Sequence, residues 1–192
     1  MSQTSDSDNI IEELASHYRA ILSLLGEDIQ REGLVKTPER AAKAMYYCTR
    51  GYRQETGKVI NGAIFSAPGS DLVIVRDIEF YSLCEHHILP FFGHVSIGYV
   101  PDGKIIGLSK FARIVDMFAR RLQVQEALTA QICDELYRVL GAKGVIVSCR
   151  ARHLCMEMRG VQKHDSTTVT TSARGILSTD TDLRNQFFQS IR

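Results

Sequence analysis

The sequence lacks an excess of charge of either sign. Its 192 residues carry 23 lysines and arginines against 22 aspartates and glutamates, a formal +1 at pH 7. That balance does not indicate a generic electrostatic grip on nucleic acid or on an anionic membrane, so any basic site has to be a local concentration. Long apolar runs are missing as well; none approaches the ~20 residues of a membrane span. The first nine residues are polar and acidic, without the charged, apolar and small-residue succession of a secretory leader. Five cysteines (Cys48, Cys84, Cys133, Cys149 and Cys155) make an odd number with no framework spacing. That usage points to a reducing, cytoplasmic compartment, where a special cysteine chelates or catalyses. Internal repeats, low-complexity segments and long linkers are absent. What remains is an ordinary globular composition, 44% hydrophobic and 23% charged, in a chain long enough to bury a core without staples.

Periodicity then divides the chain. Ile10, Ile11, Leu14, Tyr18, Ile21, Leu22 and Leu25 form a helical stripe, with Asn9 and Glu12 placed as a capping box and Gly26 as the C-terminal cap. A second helix is expected from Thr37 as N-cap and Pro38 in the first turn, ending before Gly51. Residues 52–70 show no clear period and read mostly as loop. Strands are expected over 72–80, 93–100 and 104–107, the last two joined by the turn Pro101-Asp102-Gly103. Ser109 is expected to cap a helix with Phe111, Ile114, Val115, Phe118 and Leu122 on its apolar face. A further helix runs from about Gln125 with Leu128, Ile132, Leu136 and Leu140, stopping at Gly141. Strands over 145–155 and 167–176 and a short helix capped by Asp180 complete the chain. This order predicts an α+β domain over 71–192, a largely antiparallel sheet with two helices on one face, preceded by a helical extension over 1–70. Open sheet edges point to oligomerisation through strands.

Three constellations can carry chemistry. In Cys84-Glu85-His86-His87, a thiolate and an imidazole separated by two residues can meet one ion from a tight turn. His153-Leu154-Cys155 supplies a second pair, and strand alternation would send residues 153 and 155 to one face. Cys84, His87 and Cys155 make a soft and borderline donor set that suits zinc. Three protein donors leave a position open for an activated water, with His86 and His153 as free imidazoles for proton transfer. A closed structural zinc using one of those histidines, or no metal at all, fits the spacing too. The second constellation is Ser109-Lys110 with Arg113 at a helix start, joined by Arg159 beyond Cys155. It suits a polyphosphate, or is simply a solvated basic helix. In the third, Gln123-Val124-Gln125-Glu126, a fixed carboxylate can accept two hydrogen bonds from a guanine-like edge, or merely satisfy a helix dipole.

Taken in order, Thr37-Pro38-Glu39-Arg40, Ser82-Leu83-Cys84-Glu85-His86-His87, Gly107-Leu108-Ser109-Lys110 with Arg113, Gln123-Val124-Gln125-Glu126 and His153-Leu154-Cys155-Met156 with Arg159-Gly160 closely resemble the zinc-dependent GTP cyclohydrolase I family, over about 37–192. One departure is Leu122, where many members carry a proline. The resemblance implies the tunnelling fold and a homodecamer of two stacked pentamers with sites at subunit interfaces. It also implies hydrolytic opening of the GTP imidazole ring, release of formate and rearrangement to 7,8-dihydroneopterin triphosphate, the first step of pterin and folate biosynthesis. Carried onto this chain, Cys84, His87 and Cys155 would hold Zn2+. His153 would be the acid/base near N7, and His86 would serve the ribose ring oxygen and later proton transfers. Gln125 and Glu126 would read the guanine edge. Ser109, Lys110, Arg113 and Arg159 would hold the triphosphate, with Arg40 and Lys43 reaching in from a neighbouring subunit. A nucleotide-binding module without turnover is the alternative of a different class. A pterin synthase or nitrile reductase on the same fold needs other residues, a three-histidine zinc site or a nucleophilic cysteine without zinc.

Overall fold

The computed structural model describes residues 2–66, 69 and 71–192. Contacts divide the chain into two compact units, Met1–Arg50 and Gly51–Arg192. The first unit holds α1 (Ser2–Leu24) and α2 (Thr37–Cys48), which pack on each other. Helix α1 begins well before the expected cap at Asn9, because the polar residues ahead of Asn9 continue the helix. Its C-terminal end is as expected. Gly26 has φ +83°, its N–H donates to Ser23 O, and the Glu27 N–H reaches back to Leu22 O. This doubly bonded reversal needs a residue free to adopt the left-handed region. Thr37 lies inside α2, with Lys36 as the cap. The Thr37 hydroxyl donates back to Gly33 O.

The second unit opens with α3 (Thr56–Ile60) and β1 (Ile64–Ser66), short elements in a stretch that reads as loop. Their lengths are below what periodicity can detect. Ala67, Pro68 and Ser70, also within that stretch, lie outside the described residues. There follow β2 (Val73–Cys84), β3 (Pro90–Val100), β4 (Lys104–Ile106), α4 (Leu108–Ala119), β5 (Leu122–Gln123) and α5 (Gln125–Leu140). The unit ends with β6 (Gly144–His153), α6 (Leu154–Glu157), β7 (Thr168–Gly175) and α7 (Thr181–Ser190). Strand β1 pairs with β4, so residues 51–66 belong with the second unit and not with the helical extension. The five-stranded sheet has the order β5-β2-β3-β6-β7, antiparallel except for the two-residue β5, which runs parallel to β2.

The architecture is therefore the α+β arrangement expected, with α4 and α5 on one face of the sheet. Phe111, Ile114 and Val115 of α4 and Leu128, Ile132 and Leu136 of α5 are fully buried against Val95, Ile97, Val145 and Val147. Burial of each such side chain stabilises the fold by about 1.5–3 kcal/mol. Ser109 does not cap α4. Gly107 holds the cap position and Ser109 sits in the first turn, exposed. The opposite sheet face is partly covered, since α7 packs Phe187 onto Ile146 and Val100. Helix α7 starts as its sequence indicates, Asp180 accepting from the amides of Asp182 and Leu183.

Two local devices keep the sheet in phase. Between Val75 and Ile78, β2 carries one residue more than β3 opposite it, Val75 facing Ile97 and Ile78 facing Val95. The extra residue, with Asp77 at φ +59°, returns Ile78 and Phe80 to the core face; without it the alternation would turn them outward. Farther along, Gly93 lies opposite Ala151, and a Cβ there would stand 2.0 Å from Arg150 O. Gly93→Ala is accordingly expected to lower stability by about 3 kcal/mol, read as a fall in the urea midpoint with an unchanged slope.

Candidate active site

A tight turn and a strand end build the site. After Cys84, the last residue of β2, the chain reverses at once. The Cys84 carbonyl accepts from the amides of His87 and Ile88, and the Cys84 amide donates to Leu89 O. Ile88 takes φ +56° to close this turn, a conformation a β-branched side chain enters only at a cost of about 1–3 kcal/mol. The turn presents His86 and His87 together, both exposed, beside a buried Cys84.

The opposing wall comes from β6. Its regular structure stops at His153, and Cys155 lies on the helical turn α6 rather than on the strand. Strand alternation is thus not what brings residues 153 and 155 to one place; the turn does. Cys84, His87 and Cys155 nevertheless converge, their donor atoms all within 4.8 Å of one another. Cys84 Sγ stands 3.9 Å from His87 Nδ1. Tetrahedral zinc with Zn–S near 2.3 Å and Zn–N near 2.0–2.1 Å sets donors about 3.5–3.8 Å apart, so small side-chain adjustments suffice. In donor chemistry and in spacing the three residues fit a zinc ion. Burial and the nearby Cys84 thiol push the Cys155 thiol up, while Arg159 pulls it down.

His86 Nδ1 is 3.7 Å from Cys84 Sγ, and its other ring nitrogen faces Glu85. His153 is held more firmly. Its ring stacks on Phe91 at 4.7 Å with an interplanar angle of 1°, and its Nε2 lies 2.8 Å from Gln125 Oε1. Burial pushes the His153 imidazole below the ordinary histidine value, against the opposing pull of Glu126 and Glu157. Seven of the expected residues, Cys84, His86, His87, Gln125, Glu126, His153 and Cys155, line one pocket of about 230 Å³. Glu126 is exposed at the start of α5. Gln125 is not available to a ligand's edge as expected. It is 1% exposed, and its amide group donates to Cys149 O, Thr168 O and Thr170 Oγ1.

The expected phosphate-binding residues do not line this pocket, although Arg159 stands close enough to Cys155 to act on its thiol. Lys110 Nζ donates to Val59 O. Arg113 lines a second cavity of about 410 Å³, with Arg53, Lys58, Glu55 and Asp116. Ser109 and Arg159 are exposed, the latter just beyond α6. Arg40 and Lys43 lie on α2 in the first unit, Lys43 paired with Glu39.

Sequence reasoning missed several supporting residues. Phe91 faces His153 directly in the β3–β6 ladder, a fact available only once that register is known. Thr129, Thr168 and Thr170 carry no motif of their own. Arg152 grips Glu157 through two bonds of 2.8 and 2.7 Å, tying the strand that ends at His153 to the turn that carries Cys155. A charged pair five residues apart has no helical signature, so only the strand-to-turn junction reveals it. At Leu122 the N–H donates to Tyr52 Oη; the proline that many members carry would have no hydrogen to give there.

An α+β domain whose pocket brings a thiol–imidazole cluster able to hold a metal ion together with His86, His153 and Glu126 has the make-up of an enzyme site. The GTP cyclohydrolase I family model matches residues 14–192. A GTP cyclohydrolase 1 of Pseudoalteromonas atlantica is 55% identical over 180 residues, 94% of this chain and 98% of that protein. A Pseudomonas aeruginosa relative, GTP cyclohydrolase 1 2, is 53% identical over 93% of this chain and 99% of its own. Among solved structures, the apo form of an archaeosine synthase QueF-Like aligns with a TM-score of 0.44 and 18% identity, covering 57% of this chain and 96% of that one. The chain belongs to the GTP cyclohydrolase I family and is an enzyme of it.

The Arg152–Glu157 clasp makes a prediction about the metal cradle. Glu157→Gln frees α6 from β6, and partners that orient metal ligands typically contribute 10–100-fold in affinity. We expect divalent-metal affinity to fall about tenfold, measured by competition with a chromophoric chelator, with the far-ultraviolet circular dichroism unchanged.

Proposed function

We propose that the chain catalyses the zinc-dependent reaction of GTP with water to formate and 7,8-dihydroneopterin triphosphate, the entry step to pterins and folates. The observation that carries this reading is the convergence of Cys84, His87 and Cys155 in one pocket with His86, His153 and Glu126, in a chain of this family. Cys84, His87 and Cys155 would hold the zinc ion, which would supply an activated water at neutral pH.

The chain's own groups do the rest. Glu126, an exposed carboxylate on the pocket wall, accepts two parallel hydrogen bonds from the N1–H and 2-amino edge of guanine. His153, favoured neutral by burial, moves a proton at N7. His86, at the mouth of the turn, exchanges protons at the ribose ring oxygen and in the later rearrangement. Ser109, Lys110, Arg113 and Arg159 hold the triphosphate, with Arg40 and Lys43 supplied from a neighbouring copy. Arg113 lines a different cavity from the metal cradle, which supports sites completed between subunits of a homodecamer of two pentamers on the tunnelling fold. The described cysteines are all unpaired, in keeping with a cytoplasmic enzyme, and no helix among the described residues is long and apolar enough to cross a membrane.

Purified protein supplied with zinc is expected to release formate from GTP and to yield a fluorescent pterin after oxidation and dephosphorylation. Tight GTP binding without either product, with the metal confirmed bound, would identify a nucleotide-binding module instead. Cys155→Ala is expected to lose metal and turnover together. His153→Ala is expected to keep the metal and lose turnover by about 10²–10⁴-fold, the usual contribution of a positioned acid/base; normal turnover in that variant would remove His153 from the mechanism.

A further inference from the structure

The strongest feature the proposed reaction leaves unused is the buried amide of Gln125. Only 1% of the residue is exposed, yet its side chain makes four polar contacts, three from Nε2 and one from Oε1. In an amide side chain the oxygen only accepts and the nitrogen only donates, so the partners decide which way it faces. Cys149 O and Thr168 O, each 3.1 Å away, are backbone carbonyls and can only accept. The NH2 group must therefore face them, and Oε1 must face His153 Nε2 at 2.8 Å.

The remaining hydrogens follow in turn. Thr129 Oγ1 donates its single hydrogen to Gln125 O at 2.8 Å. The 2.6 Å contact between Thr129 and Thr170 must then be donated by Thr170. Thr170 Oγ1 keeps a lone pair for Gln125 Nε2 at 3.2 Å. Cys149 O, Thr168 O and Thr170 Oγ1 share the two hydrogens of Nε2, all three acting as acceptors, and the chain of groups ends at His153. Since Gln125 Oε1 can only accept, the hydrogen between the two residues sits on His153 Nε2. A neutral imidazole with its proton on Nε2 carries its lone pair on Nδ1.

We propose that Gln125 is a positioning residue that presets His153 as the Nε2–H tautomer, leaving Nδ1 as the ring nitrogen with the free lone pair. Phe91 fixes the plane of the ring by stacking, and Gln125 fixes its rotation within that plane and its tautomer. The anchor is rigid because it spans three elements, α5 through Gln125 and Thr129, β6 through Cys149 and His153, and β7 through Thr168 and Thr170. Both amide hydrogens are committed to protein acceptors, so the side chain has no donor left for a purine. Recognition of the guanine edge then falls to Glu126, the next residue, whose carboxylate lines the pocket.

The part of this proposal that concerns turnover rests on the proposed function, whereas the tautomer does not. The test is long-range 1H–15N correlation spectroscopy on zinc-loaded protein labelled with 15N-histidine, His153 being assigned from its missing signals in His153→Asn. The expected result for the unmutated protein is a protonated Nε2 and an unprotonated Nδ1. An Nδ1–H tautomer overturns the proposal, and this measurement needs no variant of Gln125 to fold. In Gln125→Met, of similar length but with no amide, His153 is expected to show a mixture of tautomers. Its kcat for GTP is expected to fall about 10²-fold, with KM within about threefold, as for loss of an acid/base's orientation. A raised KM with kcat and tautomer retained overturns the proposal and makes Gln125 a substrate contact. Absence of formate release by the unmutated protein, beside an Nε2–H signal, counts against the proposed reaction and not against the tautomer.

Discussion

The register between β3 and β6 is the constraint on which the site depends. Ten residue pairs run from Phe91 opposite His153 to Val100 opposite Gly144. Because side chains alternate along a strand, a slip of one residue would turn the core set Val145, Val147, Cys149 and Ala151 to the other face. The same slip would take His153 off Phe91 and carry Cys155 away from Cys84. Gly93 lets the two backbones approach where a side chain would collide with Arg150 O, so the ladder also depends on a residue with no side chain. Hydrophobic burial, ring stacking and the metal cradle are consequences of one pairing.

Much of this was legible in the sequence, for identifiable reasons. The core helices α4 and α5 were readable because their apolar residues recur at helical spacing over three or more turns, and Gly141 closes α5 in the left-handed region. The cluster of Cys84, His87 and Cys155 was readable because two short Cys/His pairs are rare and chemically specific. Illegible features were those that depend on contact rather than period. Thr37 and Ser109 have the chemistry of caps but sit one or two positions inside their helices. The extra residue of β2 hides in a run of ordinary strand formers. Gln125 has the look of a ligand-reading residue, yet burial and two backbone carbonyls turn its amide inward.

Charge is distributed in the same local manner. The net +1 averages over acidic and basic groups that the fold has sorted. Arg152 is spent on Glu157, Arg120 on Asp116 and Arg174 on Asp134. Arg113, Arg53 and Lys58 meet at a cavity of their own, tempered by Glu55 and Asp116. Basic charge is therefore concentrated on a particular wall of the molecule and is not legible in its overall charge.

The placement of Cys155 on a helical turn, remote in sequence from the Cys84 turn, gives the cradle a topological character. The three residues together cannot assemble as a local peptide, because the segment joining Cys84 to Cys155 contains the whole helical layer α4–α5 and most of the sheet. Closing so long a loop before the sheet has formed carries an entropic penalty that a single ion must overcome. The convergence of Cys84, His87 and Cys155 is thereby conditional on the tertiary fold, and a chain mispaired in its sheet would not bring the three together.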